Sequence, residues 1–364
     1  MRSRTLACLV AFATTVFAQH WQLAQPGYAY EFPRDHFSHP DYETEWWYYT
    51  GNLRAPDGHR FGFELTFFRE GIRLSKQQAA ESDAVWRPDQ IYLAHLALSD
   101  IDAQEFFHTE RINRAGPGLA GSSLEQQRYW NGNWQVRWSS LDSGEQNLQA
   151  VCARFVLRLK LSPAKPLVIH GKDGISRKGP QSGEASHYIS FTRLAAAGEL
   201  SGWNGHSYSL SGLAWMDHEF FTQTADDTLA GWNWFAIQLD NHEELMLYQL
   251  RRKSGAADPF SSGTYIDAQG RAHFLSASDF SLTPGDMWQS PASGARYPID
   301  WNISIPCLQL ELSERALLPN QELFARGSVT PTYWEGAVAY QGRIHAQPVK
   351  GAGYLEMTGY APHK

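Results

Sequence analysis

The chain of 364 residues has only three cysteines, and this scarcity limits the chemistry open to it. Cys8 lies near the start, which leaves Cys152 and Cys307 for the rest of the chain. Two cysteines cannot form a disulfide framework, and neither has a CxxC spacing or a neighbouring histidine that would favour redox or metal chemistry. Two alternatives stay open: one disulfide between distant parts of the chain, or two separate thiols.

Other signatures are missing as well. The sequence has no GxSxG nucleophile elbow, no glycine-rich phosphate or dinucleotide loop and no HExxH zinc motif, so we expect no cofactor. The formal net charge of −7 argues against binding to nucleic acid, which requires basic patches. After the first residues no apolar run is long enough for a membrane-spanning segment.

The first residues have the pattern of a secretory signal peptide. Arg2 and Arg4 precede the apolar stretch Leu6–Phe17, which is too short to span a membrane as a mature helix. Small residues before Gln19 offer a cleavage site. We therefore predict a signal peptide over residues 1–18 and a secreted or periplasmic protein.

The remainder is rich in aromatic residues, at 13% of the chain, and alternates between apolar and polar positions in short runs. Such runs, separated by glycine and proline, predict an all-β fold. EWWYYTGNL followed by FGFELTFFR resembles GWNWFAIQL followed by ELMLYQLRR, which indicates an internal repeat. We predict two tandem antiparallel barrels, over residues 19–198 and 199–364.

The stretch GLAWMDHEFF, residues 212–221, holds the most concentrated chemistry. In a strand, Trp215, Asp217 and Glu219 share one face, while Met216 and His218 lie on the other. Two carboxylates beside an indole suit a pocket with a proton-donating acid. Equally, both carboxylates could be structural and accept hydrogen bonds within a network.

An HxxH pair, His36 and His39, precedes the first strong strand. It could serve a metal ion if Glu45 or His218 supplied a third ligand. Pro40 disfavours the helix that this spacing needs, so we predict no metal site. We interpret this stretch instead as a loop whose polar side chains hold it over a barrel mouth.

Taken together, several segments resemble the family of AttH-like proteins and carotenoid 1,2-hydratases, with the AttH-like branch closer. They are DHFSHPDYETEWWYYTGNL, SHYISFTRL, GLAWMDHEFF, GWNWFAIQL, LMLYQLRR, YWEGAV and GYLEMTGY. The resemblance implies two lipocalin-like barrels with a ligand cleft near their junction. It also implies a secreted location, an association with ABC-transporter systems, and in the hydratase branch the addition of water to a carbon–carbon double bond. Asn233 and Phe220 depart from the family pattern, in which we expect Asp and Trp.

The predicted site follows from these segments. We expect Asp217 to donate a proton and Glu219 or His218 to orient water. The residues expected to line the ligand site are Trp46, Trp47, Tyr48, Trp215, His36, Glu45, Tyr188 and Trp232. The ligand would be an apolar, lipid- or isoprenoid-like molecule. The alternatives are a non-enzymatic carrier working beside an ABC transporter, and a secreted hydrolase.

Overall fold

The computed structural model describes residues 21–72, 88–222, 226–325 and 331–361. The predicted signal peptide lies outside these ranges. Within them the chain forms two large antiparallel sheets, which we call the first and second barrels, and two short 3-10 helices, Arg34–His36 and Pro306–Leu308. The all-β prediction and the two barrels are confirmed.

The first barrel contains β1 to β13. Their bounds are Thr44–Arg54, Arg60–Gly71, Gln90–Asp100, Glu105–Arg114, Ala120–Ser123, Arg128–Asn131, Trp134–Ser140, Glu145–Val151, Val156–Pro163, Val168–Ile169, Ser176–Arg177, Ala185–Trp203 and His206–Phe221. The spatial order is β4-β3-β2-β1-β13-β12-β9-β8-β7-β6-β5, and β10 and β11 also pair with β12.

The second barrel contains most of β14 to β25. Their bounds are Leu229–Leu239, Glu244–Arg252, Ser262–Ile266, Ala272–Ser276, Ser281–Pro284, Met287–Gln289, Arg296–Pro298, Asp300–Ile305, Leu310–Ala316, Glu322–Leu323, Tyr333–Ile344 and Gln347–Met357. The order is β17-β16-β15-β14-β25-β24-β22-β21-β18. In addition, β23 pairs with β24, and β19 and β20 form a separate hairpin.

The two barrels share one connection pattern. In each, the first strand forms a hairpin with the second, and the last strand returns to pair with the first, as β13 does with β1 and β25 with β14. The repeated segments of the sequence are these opening hairpins. The predicted division at residues 198/199 falls inside β12, and the chain passes to the second sheet only between Phe221 and Leu229. The small residues around position 198 belong to a long paired strand and do not form a linker between the barrels.

Alternation along the strands creates two kinds of core. One face of each sheet lines the interior of its own barrel. Trp47 belongs to the interior core of the first barrel and Phe235 to that of the second. The opposite faces of β1, β13, β14 and β25 contribute to a shared cluster between the barrels, which we call the junction. Gly62 permits this close approach, because a Cβ there would lie 2.7 Å from the Cβ of Ala337.

Two further observations concern the sequence predictions. Cys152 and Cys307 are both free thiols, so the alternative of a disulfide between them is wrong for this structure. Among the described residues, no helix has the length and apolar character needed to span a bilayer.

Candidate functional site

Strand β13 divides the predicted site residues between two environments. Trp215 belongs to the junction cluster, whereas Met216 belongs to the interior core of the first barrel. Asp217 hydrogen-bonds at the junction, and His218 hydrogen-bonds to the interior residue Glu45. The predicted alternation is therefore confirmed. His218 cannot orient water at Asp217, because neighbouring side chains on a strand point to opposite faces.

Asp217 is buried at the junction and receives three hydrogen bonds. The indole of Trp215 donates to Oδ1 at 2.6 Å, the hydroxyl of Tyr188 donates to Oδ2 at 2.6 Å, and Ser190 also donates to Oδ1. Burial raises the pKa of Asp217 to about 7, although these donors act in the opposite direction. A carboxyl group with this pKa is present in both protonation states at neutral pH, as a general acid requires.

A hydrogen-bonded chain leads from Asp217 into the second barrel through His170. The Nε2 atom of His170 lies 2.7 Å from Oγ of Ser190, and its Nδ1 atom lies 2.8 Å from Oγ1 of Thr264. Because Ser190 donates to Asp217, its oxygen accepts from Nε2–H, and Nδ1 accepts from Thr264. Burial lowers the pKa of His170 to about 3, so the ring is neutral in this tautomer.

Glu219 lies one position further along the same face of β13. It accepts a hydrogen bond from Ser186 and lies 3.3 Å from the ammonium group of Lys178. That ammonium group also sits 3.9 Å from the ring centre of Tyr248, a favourable cation–π geometry. Both junction carboxylates of β13 thus have protein partners.

Three more carboxyl groups meet Asp217 at the junction, of which Glu64 and Glu335 are buried and Glu356 is half-buried. Together the four form what we call the acid cluster: Glu64, Asp217, Glu335 and Glu356. Tyr48 donates to Glu335 across the junction, and Glu335 and Glu356 are cross-strand partners. Burial, reinforced by Glu64 and Glu356, raises the pKa of Glu335 well above its usual range. Burial also raises the pKa of Glu64 to about 8 and that of Glu356 to about 7. The cluster therefore holds several neutral carboxylic acids at neutral pH.

These additional acids were not predicted as site residues, although each carries a signal. In the alternating segment FGFELTFFR, Glu64 lies on the face opposite Phe61, Phe63 and Phe67. Glu335 and Glu356 occur within YWEGAV and GYLEMTGY, which support the family resemblance. Their convergence on Asp217 depends on how the two barrels meet, which a local pattern does not encode.

Aromatic side chains surround the acid cluster. Tyr48 and Trp234 contact each other edge-on at 5.1 Å, and the indole of Trp234 donates to Tyr188 at 3.0 Å. A partly exposed rim of Trp46, Phe68, Phe221 and Trp232 lies beside them. The indole of Trp232 donates to Glu356 at 3.0 Å, which links the rim to the acids.

On the opposite face of β13, inside the first barrel, a second polar network centres on Glu45. Its carboxylate accepts from Nδ1 of His39 at 2.8 Å, from Nε2 of His218 at 2.8 Å and from Nε of Arg69 at 2.9 Å. Although burial opposes ionisation, these partners hold the pKa of Glu45 well below its usual range. Asp35 lies 3.2 Å from the other ring nitrogen of His39. Although burial acts to lower the pKa of that histidine, Glu45 and Asp35 together raise it.

The geometry of this network also bears on the metal alternative. Ligand atoms of His39, Glu45 and His218 lie within 4.8 Å of one another, a separation compatible with a metal ion. His36, the other half of the HxxH pair, is not part of this group and stacks on Trp138 at 4.2 Å. In the structure both histidines hydrogen-bond to Glu45, and these bonds attach the loop that precedes β1 to the first barrel.

The predicted site residues therefore separate into two groups. Those at the junction or its rim are Asp217, Glu219, Trp215, Tyr188, Trp46, Tyr48 and Trp232. Those in the interior of the first barrel are His218, Glu45, His36 and Trp47. The structure does not bring the second group into contact with Asp217.

Comparison with known proteins agrees with this architecture. The family model described as AttH-like matches residues 23–360. A protein from Nitrosomonas europaea, assigned to AttH when its crystal structure was solved at 2.00 Å, is 32% identical. It covers 94% of this chain and 100% of its own, with a TM-score of 0.83. No curated protein matches the chain.

Two more distant structures share the fold. Kievitone hydratase from Nectria haematococca is 13% identical over 88% of this chain and 89% of its own, with a TM-score of 0.68. CghA, solved with Sch210972, is 10% identical over 88% and 90%, with a TM-score of 0.52. The matched length and the identity to the Nitrosomonas protein establish that this chain belongs to the AttH-like family.

Proposed function

We propose that this protein adds water to a carbon–carbon double bond of an apolar, isoprenoid-like molecule bound at the junction. The observation that carries the proposal is the acid cluster, in which buried carboxyl groups with raised pKa values lie among tryptophans and tyrosines. A neutral carboxylic acid in a dry site is the group needed to protonate an alkene. The fold shared with kievitone hydratase supports this choice by analogy alone.

The reaction divides into two proton transfers around one carbocation. Asp217, in its acid form, transfers its proton to one alkene carbon, and the positive charge develops on the other carbon. The faces of Trp215, Trp234 and Tyr48 stabilise this charge through cation–π attraction. A water molecule then attacks the cation and returns a proton to Asp217. The products balance as alkene plus water giving alcohol, without a redox change.

Substrate access is assigned to the aromatic rim. Trp46 lies 5.0 Å from Phe221 and is the cross-strand neighbour of Glu219, so the rim adjoins the acids directly. We therefore expect an apolar molecule to reach the acids from the side of this rim.

The hydratase proposal is tested by following oxygen-18 from labelled water into the alcohol product. Wild-type protein is incubated with squalene or lycopene in water enriched in oxygen-18, and the products are analysed by mass spectrometry. We expect an alcohol that carries one labelled oxygen, and Asp217→Asn should reduce its rate by about 100- to 10,000-fold while substrate still binds.

His218→Gln is the matched control, since it changes the adjacent residue on the opposite face of β13. Circular dichroism shows whether both variants fold. Product formation by folded Asp217→Asn at the wild-type rate contradicts the proposed role of Asp217. Binding of substrate by the wild type without any labelled product contradicts the hydratase function.

A second candidate function is a non-enzymatic carrier of an apolar ligand, working beside an ABC transporter. The observation that favours it is that Asp217 and Glu219 both have protein partners, as structural residues would. A carrier would retain a lipid through purification, which native mass spectrometry and organic extraction detect. For both candidate functions we propose that the protein is exported from the cytoplasm. Cell fractionation of the full chain tests this location.

A further inference from the structure

One buried carboxyl group has no role in the acid cluster. Glu314 lies on β22 and is 1% exposed, and both of its carboxyl oxygens lack a hydrogen-bond partner in the described part of the chain. Along this strand Leu310, Leu312 and Glu314 are buried while the residues between them are exposed. Glu314 therefore points with the two leucines into the interior of the second barrel, away from the junction.

A cross-strand neighbour of Glu314 carries a second polar group without a hydrogen-bond partner in the described residues. Trp301 and Tyr340 are the register partners of Glu314 on either side, and cross-strand partners lie with their Cβ atoms about 5 Å apart. The indole N–H of Trp301 is also buried and without a partner in the described residues. An unpaired donor and two unpaired acceptors are thus placed together in an otherwise apolar core.

Such an arrangement is costly unless something binds there. A buried polar group without a partner destabilises the fold, and native proteins satisfy nearly all of them with protein, water or ligand. Burial, together with Asp300, raises the pKa of Glu314 well above its usual range, so the group is a neutral acid that can donate and accept. A hydroxyl group offers the matching acceptor and donor at once.

We propose that the interior of the second barrel is a binding site for an apolar molecule bearing a hydroxyl group, held by Glu314 and Trp301. A carboxylate is disfavoured, because a buried charge without a cationic partner is costly in a medium of low dielectric constant. An ammonium group would satisfy the oxygens of Glu314 but would leave the Trp301 N–H without an acceptor. This site does not depend on the chemistry proposed at the junction.

The test uses four probes with the same twelve-carbon chain: 1-dodecanol, dodecane, dodecylamine and dodecanoate. Binding to the full protein is measured by isothermal titration calorimetry and native mass spectrometry. We expect the alcohol to bind most tightly. Glu314→Leu should weaken the binding of 1-dodecanol by about tenfold, the effect of one lost hydrogen bond. The variant should then bind 1-dodecanol about as tightly as dodecane.

Two variants serve as controls. Glu314→Gln retains a donor and an acceptor, so it should keep most of the preference for the alcohol. Glu311→Gln changes an exposed glutamate of the same strand, which hydrogen-bonds to Ser304, and should leave all four affinities unchanged. Glu314→Leu should still fold, because leucine suits an apolar core; circular dichroism verifies it.

Three outcomes overturn the proposal. They are a wild-type protein that binds none of the probes, a folded Glu314→Leu variant that binds 1-dodecanol as tightly as the wild type, and a preference for dodecylamine over the alcohol. None of them involves turnover at Asp217. A failure here is therefore distinct from a failure of the hydratase proposal.

Discussion

The two faces of β13 show how differently this protein treats buried carboxyl groups. On the interior face, Glu45 is surrounded by His39, His218 and Arg69, and its pKa is held well below the usual range. At the junction, Asp217 and Glu335 are equally removed from water, and their pKa values are raised. Burial is the same in both places, so burial alone does not decide protonation.

The difference lies in the partners. Glu45 faces a guanidinium group and two imidazoles, so its charge is compensated where it forms. The members of the acid cluster face phenols, indoles, hydroxyls and one another, and neighbouring carboxyl groups oppose a second negative charge. One face consequently holds a charged network that fastens a loop, and the other holds neutral acids suited to giving up a proton.

The largest effect should come from breaking the charged network. Glu45→Gln leaves the fully buried guanidinium of Arg69 without its counterion, so we expect a loss of about 3–5 kcal/mol in the free energy of unfolding. Urea unfolding at neutral pH measures it.

Glu64→Gln is the matched control, since Glu64 is as deeply buried in the same barrel but is protonated in the fold. An amide resembles a neutral acid, so its effect should stay within about 1 kcal/mol. Equal destabilisation by both substitutions would contradict the distinction between the two faces.

The stability of the wild type and of Glu64→Gln should depend differently on pH. The folded pKa of Glu64, about 8, lies above its unfolded value of 4.5. The folded state therefore binds more protons between these values, and the stability from this group is lost as pH rises through that window. Relative to wild type, Glu64→Gln should gain stability between pH 5 and 9, a trend that thermal melts across this range detect. A constant difference in melting temperature would mean that Glu64 is ionised throughout.

The smallest effect concerns the chain through His170. Its Nε2–H polarises the hydroxyl of Ser190, which in turn favours the charged form of Asp217. His170→Leu should raise the pKa of Asp217 further, by less than about one unit. His170→Gln can still donate a hydrogen bond to Ser190, so the pKa of Asp217 in that variant should stay close to the wild-type value. The carboxyl stretch of Asp217, isolated by infrared difference against Asp217→Asn, reports this pKa. An unchanged titration in both variants would show that His170 is not coupled to Asp217.

Much of the fold was predictable because it depends on local alternation. The assignment of Asp217 and Trp215 to one face of β13 and His218 to the other required only the period of a strand. The acid cluster was not predictable in the same way, because Glu64 and Glu335 come from strands far apart in the sequence. Treating Asp217 and His218 as one site failed for the converse reason: neighbours in sequence need not share an environment.

The sequence by itself determined the all-β class, the opening hairpin of each barrel and the family, because side-chain periodicity and local motifs encode these directly. Only the tertiary structure decided which carboxyl groups are charged and which are neutral. That outcome depends on the groups that the two barrels bring within hydrogen-bonding distance of each acid. Glu45 received cations and Asp217 received neutral donors, and the free energy of burying a charge differs between these surroundings.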